Sequence, residues 1–78
     1  MFEIEYAPSV VKEFQKLPRN IQEDILRTVE LLKNKNSHQK LKVHKLHGKL
    51  KDNFAASVNF SFRIIFTINK NLISVNMI

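Results

Sequence analysis

Cysteine is absent from this 78-residue chain, which excludes a disulfide framework and any cysteine metal site. Long hydrophobic runs are absent as well: none approaches the roughly 18 residues that a membrane-spanning helix requires. The opening MFEIEYAP carries acids where a signal peptide would have a basic region and an apolar run. Together these absences lead to the expectation of a soluble, cytoplasmic protein. Glycine occurs once, at Gly48, and proline twice, at Pro8 and Pro18. A length of 78 residues leads to the expectation of one small domain over 1–78, with about 60–65% of its unfolded surface buried and little stability to spare.

Acidic side chains nearly vanish from the second half. Residues 1–36 hold six basic and six acidic side chains, whereas residues 37–78 hold seven basic ones (Lys40, Lys42, Lys45, Lys49, Lys51, Arg63, Lys70) against Asp52 alone. The net charge of +6 therefore lies in the second half, together with His38, His44 and His47. Such asymmetry points to a polyanion or an acidic protein as partner.

What is present is patterned. In Phe54–Ile68, the even positions Phe54, Ala56, Val58, Phe60, Phe62, Ile64, Phe66 and Ile68 are apolar, and the odd positions Ser57, Asn59, Ser61, Arg63 and Thr67 carry nearly all the polarity. Period-two alternation describes strands with one buried face. Fifteen residues exceed the usual strand length of about 3–10, so the stretch predicts a hairpin turning near Asn59–Ser61. The parity survives the turn, which calls for an odd-length connection or a bulge. The six phenylalanines are in phase with the buried face and are expected in the core rather than as a base-stacking platform. Arg63, on the polar face, is either a solvated surface residue or a phosphate ligand.

Ahead of that hairpin, Phe2, Ile4 and Tyr6 alternate with Glu3 and Glu5 and predict a first strand, stopped by Pro8. Ser9 is a candidate N-cap for a short helix with Val10, Phe14 and Leu17 on one stripe, ended by Pro18. Asn20-Ile21-Gln22-Glu23 has the form of a capping box. Ile21, Ile25, Val29 and Leu32, widened by Leu26 and Leu31, predict a second helix over about Ile21–Lys33. Residues 34–40 read as a loop, and Leu41 and Val43 alternating with Lys42 and His44 as a short extended segment. Gly48 is expected to supply a positive φ. Ile73, Val75 and Met77 form a last strand after a turn at Asn69–Asn71. The order predicts an α+β fold: an antiparallel sheet of four or five strands with a helical hairpin packed on one face.

Five segments in this order resemble a RelE/ParE-superfamily toxin of a bacterial type II toxin–antitoxin pair. They are Tyr6-Ala7-Pro8, Phe14-Gln15-Lys16-Leu17-Pro18, the Ile/Leu-rich second helix, Lys45-Leu46-His47-Gly48 as the family's K-L-x-G turn, and Phe62-Arg63-Ile64-Ile65-Phe66 as its Y-R-I-I-F strand. His44-Lys45-Leu46-His47-Gly48 also matches the H-x-L-x-G of the YafQ-like branch. The resemblance implies a microbial-ribonuclease-like fold and an antitoxin partner that wraps the toxin. RelE-type members cleave mRNA in the ribosomal A site, and ParE-type members poison DNA gyrase.

Carried over residue by residue, Arg63 matches the strand arginine that contacts the scissile phosphate in RelE-type toxins. The lysine pair of RelE falls at Ala55 and Ser57, which supply no cation. The YafQ-branch histidine also falls at Ser57, and its aspartate at about Ser61. The family's last catalytic segment follows the final strand, and the 78-residue sequence is expected to lack it. The remaining candidates are Arg63 as phosphate clamp and His44 or His47 as base, with His44 preferred, and His47, Lys45, Lys49, Lys51 and Ser57 contacting RNA. A lone histidine pair without Cys, Asp or Glu beside it does not make a zinc site, and no cofactor is expected. Two classes stay open: an mRNA endoribonuclease toxin acting at the ribosome, and a gyrase-directed or degenerate toxin that binds without catalysis.

Overall fold

The computed structural model describes residues 1–78. Strand β1 (Glu3–Tyr6) leads into helices α1 (Pro8–Gln15) and α2 (Arg19–Leu32), followed by β2 (His44–Lys45), β3 (Phe54–Ser57), β4 (Arg63–Asn69) and β5 (Leu72–Met77). One-turn 3-10 segments occupy Lys35–Ser37 and Gly48–Leu50. The five strands form one sheet in the order β1-β5-β4-β3-β2.

The expected antiparallel sheet needs one correction: β1 runs parallel to β5, with Ile4 opposite Ile73 and Tyr6 opposite Val75. The other three pairings are antiparallel. A parallel pair needs a long crossover, and the intervening chain supplies it, with the helical hairpin lying across the even face.

That face is the core. Val10, Ile25, Val29 and Leu32 from the helices meet Ala56, Ile64, Phe66, Ile73 and Val75 from the sheet in one buried cluster. Burying each large apolar side chain contributes about 1.5–3 kcal/mol, so this contact holds the hairpin on the sheet. Phe54 and Phe66, opposite one another in the β3–β4 register, stack with ring centroids 5.9 Å apart. Leu26, expected to widen the helix stripe, is instead 54% exposed.

Three local expectations are also corrected. Pro8 occupies the first turn of α1 and Ala7 is its N-cap, because proline's fixed φ and missing N–H suit that position. Ser9 therefore lies inside the helix. Likewise Pro18 precedes α2, and its carbonyl accepts from the N–H groups of Ile21 and Gln22, which places Asn20 inside the first turn and leaves the capping box unused. The short strand is at His44–Lys45 rather than Leu41–His44, because Lys42 adopts φ 56° and breaks the extended run. Gly48 has the expected positive φ, 75°.

The β3–β4 connection spans residues 58–62, an odd length, with Ser57 opposite Arg63 at its mouth. A bulge on the far side of β4 shifts the register between Ile65 and Phe66, so Ile65 faces Met77 and Phe66 faces Val75. Asn76, left between them, donates from Nδ2 to Oδ1 of Asn53 at 3.0 Å. That bond ties β5 to the end of the 46–53 segment.

Candidate functional site

Alternation along the strands decides which candidates share a face. Ser57 is paired with Arg63, and His44 with Ala55, which is paired in turn with Ile65. His44, Ala55, Ser57, Arg63 and Ile65 therefore lie on the odd face, opposite the helices. Strand spacing and rise place the Cα atoms of His44 and Arg63 about 12 Å apart. Lys45 is opposite Phe54, so its position belongs to the other face and it is separated from His44 and Arg63.

The His44 ring is fixed in a defined way. Its Nδ1 lies 2.9 Å from the Lys42 carbonyl oxygen. A carbonyl only accepts, so Nδ1 carries the proton and the neutral ring keeps its lone pair on Nε2. The left-handed backbone at Lys42 sets the direction of that carbonyl. Lys42 was not among the candidates, and no sequence signal marks a lysine for positive φ.

Ser57 and Arg63 are exposed. Ser57 donates its N–H to the Leu41 carbonyl at 3.0 Å, which fastens the 41–43 segment beside the Ser57–Arg63 pair. Ala55, where the sequence resemblance implied one lysine of the RelE pattern, is fully buried and leaves no room for a cation. Ile65 is buried too, so the odd face is not uniformly polar: it has a small apolar centre with polar groups around it. His47 precedes the Gly48–Leu50 turn, and His47, Lys49 and Lys51 are all exposed. No group of three His, Cys, Asp or Glu side chains is placed to hold a metal ion.

The ion pairs are confined to one helix and its end. All three ion pairs belong to α2 and the residue after it: Arg19–Glu23, Asp24–Arg27 and Glu30–Lys33. None involves Lys40, Lys42, Lys45, Lys49, Lys51, Arg63 or Lys70, and all seven are exposed. At the other end of the odd face, Glu5 accepts from the Ser74 hydroxyl at 2.7 Å. An apolar depression of about 160 Å³ between α1, α2 and β5, lined by residues such as Val11, Phe14 and Leu26, lies on the helical side, away from His44 and Arg63. A polymer held by its phosphates needs cations on an open surface rather than an enclosed cavity, so the odd face with His44 and Arg63 is the candidate site.

No protein-family model matches this chain, and no curated protein matches it in sequence. Solved structures do match in fold. A chain of the heterotetrameric YoeB–YefM toxin–antitoxin complex from Staphylococcus aureus superposes with a TM-score of 0.79 at 16% identity, over 99% of this chain and 93% of that one. The archaeal RelE–RelB complex from Pyrococcus horikoshii gives 0.78 at 23% identity, over 97% and 90%. YafQ from E. coli gives 0.68 at 22% identity, over 99% and 90%. The fold is thus that of the RelE, YoeB and YafQ toxins, as the sequence resemblance implied. No helix is long and apolar enough to cross a membrane.

Proposed function

We propose that this chain is the toxin of a type II toxin–antitoxin pair, that its target is mRNA at the ribosome in the cytoplasm, and that it cleaves RNA slowly. The observation that carries this reading is the presence, on one sheet face, of an imidazole with a free Nε2 and an exposed guanidinium with no carboxylate partner. The exposed, unpaired lysines of the second half and the likeness in fold to RelE and YafQ support it.

Mechanistically, Nε2 of His44 takes the proton of a ribose 2′-hydroxyl as its oxygen attacks the adjacent phosphorus. Arg63 holds the non-bridging oxygens through its two-pronged guanidinium as charge builds on them. The bond to the 5′-oxygen breaks, that oxygen takes a proton from water, and a 2′,3′-cyclic phosphate remains. A positioned acid–base group contributes about 10²–10⁴ in rate and a positioned charge donor about 10²–10³. One of each, with water as the acid, gives a weak ribonuclease.

The partner is an acidic antitoxin that covers the basic second half. In the structures of similar fold, YoeB was solved with YefM and RelE with RelB. Two measurements test the reading: co-purification of the chain with its neighbouring gene product, and mRNA cleavage with and without ribosomes by wild type, Arg63→Ala and His44→Ala. Slow cleavage lost in both variants is expected. Fast codon-specific cleavage indifferent to both would overturn the assignment, and inhibition of gyrase without any RNA cleavage would replace it with the gyrase-directed class.

A further inference from the structure

Phe60 stands outside the logic that places Phe2, Phe14, Phe54 and Phe66 in or against the core. Alternation assigns it to the buried face, yet it is 109% exposed, at the tip of the β3–β4 hairpin. Burial would stabilise such a side chain by about 1.5–3 kcal/mol, and here that gain is forgone.

The tip that presents Phe60 is tightly bonded. The N–H groups of Val58 and Asn59 both donate to the Phe62 carbonyl at 3.0 and 3.2 Å. Those of Ser61 and Phe62 both donate to Oδ1 of Asn59 at 2.9 Å, an Asx turn. Nδ2 of Asn59 then reaches Oδ2 of Asp24 on α2 at 3.3 Å, which pins the loop to the helix layer. The ring is therefore held out on a fixed backbone, and little backbone freedom remains to be lost on binding.

The surroundings select the occupant. Ser57, Ser61 and Arg63 are exposed around the tip, and Arg63 is three residues away, at most about 11 Å between Cα atoms. From Asn53 to the end of the sequence there is no acidic residue. The nearest carboxylate established by contact, Asp24, is taken up by Arg27 and Asn59. The other large exposed apolar side chains, Met1, Tyr6, Val11, Leu26 and Met77, belong to the N-terminus, β1, the helices and the end of β5. Within residues 57–63 Phe60 is the only apolar side chain that is fully exposed, Val58 and Phe62 being half-buried, which falls short of the broad patch a hydrophobic protein contact would need. A lone aromatic ring among hydroxyls and a free arginine suits a nucleobase instead: the ring offers a stacking face and the arginine a phosphate contact on the same strand.

We propose that Phe60 is a base-stacking platform for single-stranded RNA, seating a nucleotide next to the one whose phosphate Arg63 holds. The proposal rests on the RNA-directed reading given above and adds a binding position to it. The chain contains no tryptophan, so Phe60→Trp introduces a single fluorescent reporter at the tip. Short oligoadenylate should quench it, and heparin, a polyanion without bases, should not. Phe60→Ala and Phe60→Leu should each weaken oligoadenylate binding by roughly five- to a hundredfold and leave heparin binding unchanged, since leucine keeps the apolarity and loses the π face. RNA binding that is equal in wild type, Phe60→Ala and Phe60→Leu, with no change in the tryptophan signal, overturns the platform and leaves the RNA-directed reading intact. Absence of RNA binding by wild type itself overturns both. A tryptophan signal that responds only to the acidic partner protein makes the tip a protein contact and also overturns the proposal.

Discussion

The Nδ1–H of His44 donates to the carbonyl of Lys42 at 2.9 Å, from a lysine whose own φ is 56°. An unusual backbone conformation in one residue therefore fixes the tautomer of another two positions later. Lys42→Gly accepts that conformation without strain and should leave the melting temperature close to that of wild type. Lys42→Val should destabilise by about 1–3 kcal/mol, because a β-branched residue is poorly accommodated at positive φ. Thermal melts of the two variants make the comparison, and equal stability would mean that φ 56° is not held in solution.

Loss of His44 should reduce RNA cleavage by about 10²–10⁴. His44→Ala leaves the exposed edge strand otherwise intact, so the melting temperature should hardly change while the rate falls. A rate that falls only in proportion to lost folded protein would remove His44 from the chemistry.

Binding of single-stranded RNA should weaken steeply with salt, because the exposed lysines have no internal partners. Each phosphate contact contributes about 0.7 to the slope of log affinity against log salt. Lys49→Gln and Lys51→Gln should each flatten the slope by about that amount if they touch phosphates. An unchanged slope in both would confine the contact to residues nearer Arg63.

Core and surface leucine-type positions should respond differently to truncation. Ile64 is fully buried between sheet and helices, and Ile64→Ala should cost about 2–5 kcal/mol, a large share of the roughly 5–15 kcal/mol that a domain has. Leu26, exposed on α2, should change stability by about 0.5 kcal/mol or less when replaced by alanine. Chemical denaturation of both variants measures the contrast. Similar losses at the two positions would mean that the outer side of α2 is covered in solution.

Tyr6 is the only tyrosine, so its ionisation can be followed alone by ultraviolet absorbance. Partial burial raises its pKa above the usual 10.0; nearby Lys33 pulls it down, and Glu30 adds to the rise. The fold thus favours the neutral phenol. That stability contribution is fully present below pH about 10 and is lost as pH rises through the folded-state value. Native protein should ionise at higher pH than denatured protein, and Tyr6→Phe should abolish this part of the alkaline stability loss. Coincident native and denatured titrations would contradict it.

Much of this architecture is written locally. The alternation of Phe54, Ala56, Ile64, Phe66 and Ile68 fixed the strand faces, because side-chain direction in a strand depends only on parity. The stripe Ile21, Ile25, Val29 and Leu32 marked α2 for the equivalent reason at helical period. Gly48 announced its positive φ by lacking a Cβ, and Arg63 was legible as a charge on the polar face. The charge imbalance between the halves needs no fold at all.

What tertiary structure alone decided is whatever depends on segments far apart in the sequence. The direction of β1 follows from which strand it meets, and that partner, β5, lies at the opposite end of the chain. Burial of Ala55 and Ile65 on the face read as polar follows from placing them side by side in the middle of a five-stranded sheet. Phe60 keeps the parity of the core but lies in the β3–β4 turn, where the Asn59 side-chain bonds rather than strand pleating set its direction. The free Nε2 of His44 comes from a lysine backbone that no residue-level preference predicts. Parity and period determine which way a side chain points; only the packed chain determines what it meets there.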